Sequence, residues 1–224
     1  MKNVSIAIDG PSGAGKSTLA RALAKEKGYL YVDTGAIYRT LGYYVRRRGA
    51  DPKDEVEVLE LLRSAEVELR YGEDGLQHMF LNGEDVSREI RLPEVSKYAS
   101  IVSAHEGVRA FLLEMQRELA RKHSVVMDGR DIGTVVLPDA DVKIFLTASA
   151  EMRAKRRCLE LQQRGTPEPL DQVLSEIVQR DWDDTHRAAA PLRQAEDAVV
   201  VDTTTLNFEE SLTALLRVIE EKIG

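Results

Sequence analysis

A glycine-rich loop near residue 10 constrains the fold of this chain more than any other feature. An apolar run at residues 4–8 leads into Gly10, Gly15, Lys16 and Ser17, which match the pattern G-x-x-x-x-G-K-[ST], and a helical pattern follows. In such a loop, backbone N–H groups and the N-terminus of the following helix surround a phosphate group. The motif requires a strand before it and a helix after it, so we predict a P-loop in an α/β fold.

Different residues of this loop are expected to bind different parts of a nucleotide and its metal ion. The glycines allow the backbone to approach the phosphates, Lys16 can reach the β- and γ-phosphates, and Ser17 can bind Mg²⁺. The loop alone does not distinguish a GTPase, an ATPase motor and a small-molecule kinase. The chain lacks the guanine motif N-K-x-D, and its small size with one insertion favours the kinase. We expect the phosphates to be bound by Gly10, Pro11, Ser12, Gly13, Ala14, Gly15, Lys16, Ser17 and Thr18.

The rest of the chain alternates short apolar segments with helical patterns. Four further segments are rich in β-branched or aromatic residues, as buried parallel strands are. They occupy residues 29–32, 124–127, 142–146 and 198–201. The helical patterns occupy residues 16–27, 37–48, 106–121, 150–164, 170–187 and 208–223. Strands that alternate with helices imply βαβ units, so we predict a five-stranded parallel sheet covered by helices on both faces.

One region departs from this alternation. Between residues 66 and 87, apolar and polar residues alternate around the turn sequences GEDG and NG, as in an antiparallel meander, and a helical pattern follows at 93–103. We therefore expect a P-loop core formed by residues 1–65 and 104–224, which carries a small inserted α+β subdomain at residues 66–103.

Composition limits the kinds of partner. The net charge is −7 and the pI is near 5.3, whereas nucleic-acid-binding proteins are normally basic. The single cysteine, Cys158, excludes an internal disulfide and fits a reducing compartment. The run at 4–8 is too short for a signal peptide, and no apolar run approaches the ~20 residues of a membrane span. The four histidines lack metal-ligand spacing. We expect a cytoplasmic globular protein that binds neither nucleic acid nor a membrane.

The segment VDTGAIYR follows the second predicted strand and could bind an anion. Thr34 and Gly35 open a predicted helix and Arg39 lies in its first turn, so a hydroxyl, free amides and a guanidinium can converge. A well-capped helix with a solvated arginine explains the same residues.

The segment VVMDGRDIG lies at the carboxyl edge of the predicted sheet, where open α/β folds bind ligands. Asp128 ends a strand there and could orient Mg²⁺ through water, while Gly129, Arg130 and Asp131 follow it. An ordinary Asp-Gly turn is the alternative explanation.

Two sets of charged residues each share a helix face by their spacing. One set is Arg153, Arg156 and Arg157, and the other is Arg180, Asp184 and Arg187. Ladders of exposed salt bridges have the same spacing. The functional alternative is that these cations balance the charge of a triphosphate and of a transferred phosphoryl group.

Together, these motifs resemble the bacterial cytidylate kinase family of nucleoside monophosphate kinases, over essentially the full chain. The matching stretches are IDGPSGAGKST, TGAIYR, LNGEDVSREIR, DGRDIGTVV, PDADVKIFLTAS, RDWDDTHRAAAPL and VVDTTTL. The first is common to P-loop kinases, whereas LNGEDVS, DGRDIGTVV and R-D-x-x-D-x-x-R-x-x-A-P-L in this order are specific to the family. The resemblance implies transfer of the γ-phosphoryl group of ATP, with Mg²⁺ as cofactor, to CMP or dCMP in pyrimidine nucleotide metabolism.

The resemblance also implies roles for individual residues. ATP would be bound by the loop and by lid arginines Arg153 and Arg157, in a short lid at about residues 153–170. The CMP phosphate would be held by Thr34, Arg39 and Arg130, with Arg187 near the phosphates; Thr34 keeps the hydroxyl of the Ser found in some relatives. Cytosine would be read by Ser100, Arg109 and Asp131, and the ribose would face Arg180 and Asp184. Asp128 and Gly129 would complete the CMP-binding set.

The implied catalytic set is Lys16, Arg130, Arg153, Arg157 and Arg187, and the implied Mg²⁺ ligands are Ser17 and, through water, Asp128. We expect a monomer. Two alternatives remain at this point. One is a P-loop kinase with another small acceptor such as shikimate, and the other is a non-catalytic nucleotide-binding module.

Overall fold

The structure is a computed structural model that describes residues 2–73, 76–163 and 165–224. The chain forms two compact units. One consists of Met1–Tyr31 and Ala120–Gly224, and the other of Val32–Leu119.

In the described residues, eight strands form two sheets. They are β1 (Ser5–Asp9), β2 (Leu30–Asp33), β3 (Val67–Tyr71), β4 (Gln77–Leu81), β5 (Glu84–Asp85), β6 (Val125–Gly129), β7 (Val142–Thr147) and β8 (Val199–Asp202). The larger sheet has the order β2-β6-β1-β7-β8 and the smaller one the order β3-β4-β5. Ile6 of β1 pairs in parallel with Val126 and with Val142. The prediction of a five-stranded parallel sheet is confirmed.

Eight α-helices are described. They are α1 (Lys16–Lys27), α2 (Thr34–Arg48), α3 (Glu55–Leu62), α4 (Pro93–Val102), α5 (Glu106–Lys122), α6 (Ala150–Gln163), α7 (Leu170–His186) and α8 (Phe208–Ile223). The described residues also contain a 3₁₀ turn at Glu89–Arg91 and a π-helical turn at Ile132–Val136. The predicted helix at 150–164 ends on Arg164, which lies outside the described residues, as do Asp74 and Gly75 of the GEDG turn.

The core of the first unit explains why β1 is central. Ile6 and Ile8 of β1 are fully buried, and they pack in one cluster with Leu23 of α1, Ile144 of β7 and Leu215 of α8. Burial of such side chains stabilises the fold by about 1.5–3 kcal/mol each. The strand that leads into the glycine-rich loop is therefore held rigidly by both chain segments of this unit.

The second unit contains the antiparallel sheet and helices α2 and α4, which pack closely. A Cβ on Gly42 of α2 would lie 2.6 Å from the backbone nitrogen of Ala99 in α4, so only glycine permits this approach. The β4–β5 connection uses Asn82 and Gly83, both with positive φ, as a tight hairpin turn requires. The antiparallel meander predicted at 66–87 is confirmed, while the subdomain bounds of 66–103 remain a prediction.

Two helical details differ from the sequence predictions. Helix α3 was not predicted, because EVEVLELL alternates polar and apolar residues in its first half; Asp54 caps it by accepting hydrogen bonds from the N–H groups of Val56 and Glu57. Helix α2 begins at Thr34 with Asp33 as its N-cap, which places Arg39 in the second turn and not in the first.

No helix in the described part of the chain has both the length and the apolar character of a transmembrane span.

Candidate active site

The glycine-rich loop has the backbone shape of a P-loop. It connects β1 to α1, and Gly10, Gly13 and Gly15 all have positive φ, at 149°, 76° and 91°. A Cβ on Gly10 would lie 1.9 Å from the carbonyl oxygen of Leu146 in β7, so no other residue fits there without moving the backbone. The N-terminus of α1 is therefore presented at the end of the central strand, as phosphate binding requires.

Lys16 is the first residue of α1 and is 5% exposed. Its ammonium group donates a hydrogen bond to the carbonyl oxygen of Pro11 at 2.7 Å, across the loop. Burial, and then the charge of Arg130, hold the pKa of Lys16 well below its usual value, whereas the carboxylates of Asp128, Asp184 and Asp9 act in the opposite direction. Lys16 is thus a desolvated cation at the centre of the loop.

Ser17 and Asp128 meet at the carboxyl edge of the sheet. The Ser17 hydroxyl donates to one carboxylate oxygen of Asp128 at 2.9 Å, and the Tyr31 hydroxyl donates to the other at 2.9 Å. Asp128 is 4% exposed at the end of β6. A hydroxyl beside a carboxylate provides the oxygen ligands that Mg²⁺ prefers, so these residues fit the ion implied by the fold. In the described residues, no group of three or more His, Cys, Asp or Glu side chains could hold a metal by itself.

Asp9, the last residue of β1, fixes the segment after β6. Its two carboxylate oxygens accept hydrogen bonds from the backbone N–H groups of Ile132 at 2.8 Å and Gly133 at 2.7 Å. Burial raises the pKa of the Asp9 carboxyl to about 6, although the two N–H groups lower it. Asp9 was not predicted to be a site residue, although its position at the end of β1, directly before Gly10, was a signal.

Asp184 of α7 is the centre of a buried charge cluster. One of its oxygens accepts a hydrogen bond from Nε of Arg130 at 2.7 Å, and the other lies 3.8 Å from Nη1 of Arg187. Burial raises the pKa of Asp184, but the charges of Arg130, Arg180 and Arg187 outweigh it and leave the pKa below its usual value. Arg187 also donates twice to the carbonyl oxygen of Ala190. Asp184 is therefore buried and paired with Arg130 and Arg187, unlike the acidic residue of an exposed salt-bridge ladder.

The three arginines of α6 have three different environments. Arg153 donates to the carbonyl oxygens of Ala148 and Ser12 and to the carboxylate of Asp181. Arg156 donates to the hydroxyl and carbonyl oxygens of Thr203 at 3.1 and 2.6 Å. Arg157 forms an exposed pair with Glu160 at 3.1 Å, of the kind that the salt-bridge alternative describes.

In the second unit, an ion pair lies at the N-terminus of α2. Asp33 accepts the N–H of Ala36 at 2.8 Å and pairs with Nη2 of Arg39 at 3.0 Å. A Cβ on Gly35 would lie 3.0 Å from the Arg39 guanidinium, so glycine lets that side chain lie across the helix start. Thr34 is 3% exposed beside this pair. Gln77 of β4 accepts the Asp33 N–H at 2.8 Å and donates to its carbonyl at 3.3 Å.

Arg109 of α5 is also in the second unit and is 9% exposed. Its Nη1 donates to the carbonyl oxygen of Ser103 at 2.9 Å, and its guanidinium carbon lies 5.3 Å from the centre of the Tyr38 ring. Ser103 in turn donates to the carbonyl oxygen of Ser100 at 2.9 Å. Arg109 is therefore held by a carbonyl oxygen and an aromatic face, from Ser103 and Tyr38, neither of which was predicted to be a site residue.

The predicted site residues are divided between the two units. The first unit holds the loop, Asp128, Gly129, Arg130, Asp131, Arg153, Arg157, Arg180, Asp184 and Arg187. The second unit holds Thr34, Arg39, Ser100 and Arg109. Asp131 follows Arg130 and is 4% exposed.

Comparison with known proteins gives a consistent result. The family model for cytidylate kinase matches residues 6–221. A cytidylate kinase from Caldicellulosiruptor bescii is 53% identical over 216 residues, which cover 96% of this chain and 95% of that protein. One from Caldicellulosiruptor saccharolyticus is 50% identical over 224 residues, covering 100% of this chain and 99% of that protein.

Among solved structures, an uncharacterized protein from Eubacterium ventriosum has a TM-score of 0.54 at 12% sequence identity, over 97% of this chain and 99% of that chain. This likeness concerns the fold alone. The family model spans nearly all of the sequence, and the relatives are about half identical over almost the whole of it, so the chain belongs to the cytidylate kinase family.

Proposed function

We propose that this protein transfers the γ-phosphoryl group of ATP to CMP or dCMP, giving ADP and CDP or dCDP. Membership of the cytidylate kinase family over residues 6–221 is the observation that carries the proposal. The P-loop between β1 and α1 supplies the phosphate-binding element that such a transfer needs.

ATP binds at the P-loop in this proposal. The loop residues Gly10 to Thr18 supply N–H groups, and Lys16 places its charge beside the β- and γ-phosphates. When ATP binds, the Lys16 ammonium would exchange its hydrogen bond to the neutral Pro11 carbonyl for one to a charged phosphate oxygen. Hydrogen bonds between charged groups are stronger, so this exchange favours ATP binding. Arg157, which is partly exposed and paired only with a neighbouring side chain of its own helix in the described contacts, is available as a lid arginine.

Mg²⁺ is the proposed cofactor, and Ser17 with Asp128 would hold it, directly and through water respectively. When bound, the ion neutralises phosphate charge and orients the β- and γ-phosphates. The Tyr31 hydroxyl fixes the Asp128 carboxylate, so this acidic group is oriented before any ligand arrives.

CMP is the proposed acceptor. Thr34, Arg39, Arg130 and Arg187 bind the phosphate, and Arg180 and Asp184 bind the ribose. Arg109 donates hydrogen bonds to N3 and O2 of cytosine, Ser100 assists, and Asp131 accepts from the N4 amino group. The Asp33–Arg39 pair and the Tyr38–Arg109 contact support these roles, because they restrict the two guanidinium groups before CMP binds.

The chemistry needs no strong general base. A phosphate monoester is largely a dianion near pH 7, with a second pKa of about 6, so the attacking oxygen is already anionic. The barrier lies in bringing two polyanions together in line. The buried Lys16 and the partly buried Arg130 lower that barrier by offsetting the phosphate charge, and positioning supplies the rest.

We further propose a cytoplasmic, monomeric enzyme that binds neither nucleic acid nor membranes. The acidic composition and the single cysteine support this assignment. We also propose that residues 66–103 act as the monophosphate-binding subdomain and that residues 153–170 act as the lid.

An acceptor panel tests the proposed function. Purified protein with Mg²⁺ and ATP is offered CMP, dCMP, UMP, AMP, GMP and shikimate, and ADP release is measured. We expect turnover with CMP and dCMP and little with the purine nucleotides. Turnover with shikimate alone would establish a different kinase, and ATP binding without turnover of any acceptor would establish a non-catalytic module. The matched control is Lys16→Ala, which should slow ADP release by a factor of about 10² or more without loss of folding.

A further inference from the structure

The Arg153 side chain is almost fully engaged inside the protein. It is 6% exposed, and four of its five N–H groups donate hydrogen bonds. Nε donates to the carbonyl oxygen of Ala148 at 2.8 Å, and Nη1 donates to the carbonyl oxygen of Ser12 at 2.9 Å. Nη1 and Nη2 donate to the two carboxylate oxygens of Asp181 at 3.0 and 2.6 Å. A guanidinium used in this way has little capacity left for a phosphate.

One of these bonds, the one to the Ser12 carbonyl oxygen, reaches the P-loop itself. Ser12 is in the middle of the loop, and its carbonyl oxygen must point away from the phosphate site while the neighbouring N–H groups point into it. Gly13, the next residue, has φ of +76°, and a Cβ there would lie 3.2 Å from Cβ of Arg153. The α6 backbone and the Arg153 guanidinium therefore define the conformation of Ser12 and Gly13 together.

Asp181 determines where that guanidinium lies. Two parallel N–H···O bonds from the Arg153 guanidinium to the Asp181 carboxylate fix the plane of the guanidinium, whereas a single bond would not. Asp181 is on α7, immediately after Arg180 and one turn before Asp184. The pair therefore connects the loop that we assign to ATP with the helix whose neighbouring side chains we assign to the ribose of CMP.

We propose that Asp181 is a positioning residue, which holds Arg153 so that the guanidinium fixes the Ser12 carbonyl and thereby the P-loop. Arg153 in this proposal acts on ATP through the loop, and its part in catalysis is indirect. The inference rests on the proposed ATP-binding role of the P-loop. The opposite possibility is that Asp181 restrains an arginine that would otherwise bind the phosphates.

The test compares Asp181→Asn, Arg153→Lys and the double variant with the wild type. Asparagine keeps the shape of Asp181 but removes its charge and one acceptor, and lysine cannot donate to Ala148, Ser12 and both Asp181 oxygens at once. Asp183→Asn is the control, since Asp183 is an exposed residue of the same helix whose side chain accepts a hydrogen bond only from Gln179 among the described contacts. Steady-state kinetics are measured with ATP varied at saturating CMP and with CMP varied at saturating ATP.

We expect Asp181→Asn and Arg153→Lys each to lower kcat/KM for ATP about tenfold or more, the loss typical for a hydrogen-bonded charged group. KM for CMP at saturating ATP should change much less. The double variant should be no worse than the poorer single variant, because both substitutions remove one interaction. Asp183→Asn should stay within about twofold of the wild type, as exposed surface changes usually do.

Several results would overturn the proposal. A gain in ATP affinity in Asp181→Asn would mean that Asp181 restrains Arg153, and additive losses in the double variant would mean that the two side chains act independently. A loss of melting temperature with unchanged kinetics would make the pair purely structural. If Asp181→Asn fails to fold, Arg153→Lys decides the matter, since wild-type kinetics in that variant contradict the proposal. An inactive wild type would instead refute the proposed function.

Discussion

Replacing Asp9 with asparagine tests how a buried carboxyl group contributes to the stability of the site. Asp9 is 5% exposed, and its pKa is raised from the ordinary value of 3.8 to about 6, first because of burial. The folded protein thus holds the Asp9 proton more tightly than the unfolded chain does. At about 1.4 kcal/mol for each tenfold difference in proton affinity, ionisation of Asp9 costs the fold about 3 kcal/mol in total.

The direction of the pH dependence follows from this difference. The stability associated with the neutral carboxyl is fully present below pH 3.8 and is lost as the pH rises through about 6. Asparagine does not titrate, so the variant lacks this loss. Between pH 4.5 and 7.5, the unfolding free energy of the wild type should therefore fall by about 2 kcal/mol relative to that of Asp9→Asn.

Urea denaturation followed by far-UV circular dichroism at a series of pH values measures this difference. Subtracting the variant cancels groups that do not interact with Asp9. Asp141→Asn is the control with the opposite sign, because Lys2 and Ser5 hold the pKa of Asp141 below its ordinary value against the effect of burial. Relative to Asp141→Asn, the unfolding free energy of the wild type should rise as the pH rises. Parallel curves for Asp9→Asn and the wild type, or a relative gain by the wild type with rising pH, would refute the reasoning about Asp9.

Four further outcomes are expected. Lys16→Ala should lower kcat by a factor of about 10² or more while the affinity for CMP changes little, and near-normal turnover would refute the P-loop assignment. Asp184→Asn should lower kcat/KM for CMP and leave ATP binding without CMP nearly intact; normal kinetics with only a lower melting temperature would make Asp184 a structural ion-pair residue. Asp131→Ala should reduce turnover of CMP far more than that of UMP, since uracil presents an acceptor where cytosine presents the N4 donor, and an unchanged CMP to UMP ratio would refute its role as a base reader. Gly10→Ala should weaken ATP binding and lower the melting temperature, because its Cβ would lie 1.9 Å from the Leu146 carbonyl oxygen; wild-type ATP affinity would show that this approach is not needed.

Sequence reasoning worked where the determining residues are close together in the chain. The P-loop, its strand and its helix occupy one continuous stretch, and the Asn82-Gly83 turn has a local signature. The contacts of Asp9 with Ile132 and Gly133 span more than a hundred residues, and no local pattern encodes them. Asp33 could have been identified as the α2 cap, since Asp is a favoured residue at that position.

The α6 arginines show a different limit. Their spacing correctly places them on one helix surface, but spacing says nothing about the partners that long, flexible guanidinium side chains reach. Arg153 bonds to Asp181, Arg156 bonds to Thr203, and Arg157 stays on its own helix with Glu160. The partners of the first two come from later parts of the chain, so only the folded structure separates the three environments.

The pairing of β1 has a consequence for the order in which the protein acquires its parts during synthesis. Ile6 lies between Val126 of β6 and Val142 of β7, both of which leave the ribosome much later than β1. The ends of such a long intervening segment meet only at an entropic cost, so β1 has no strand to pair with until β6 has been made, and it stays at the sheet edge until β7 has been made. The residues of Val32–Leu119, in contrast, form a continuous stretch whose contacts can develop during this interval. A nascent chain released before β7 is made would therefore contain every residue of the P-loop and yet lack the strand whose Leu146 carbonyl lies against Gly10.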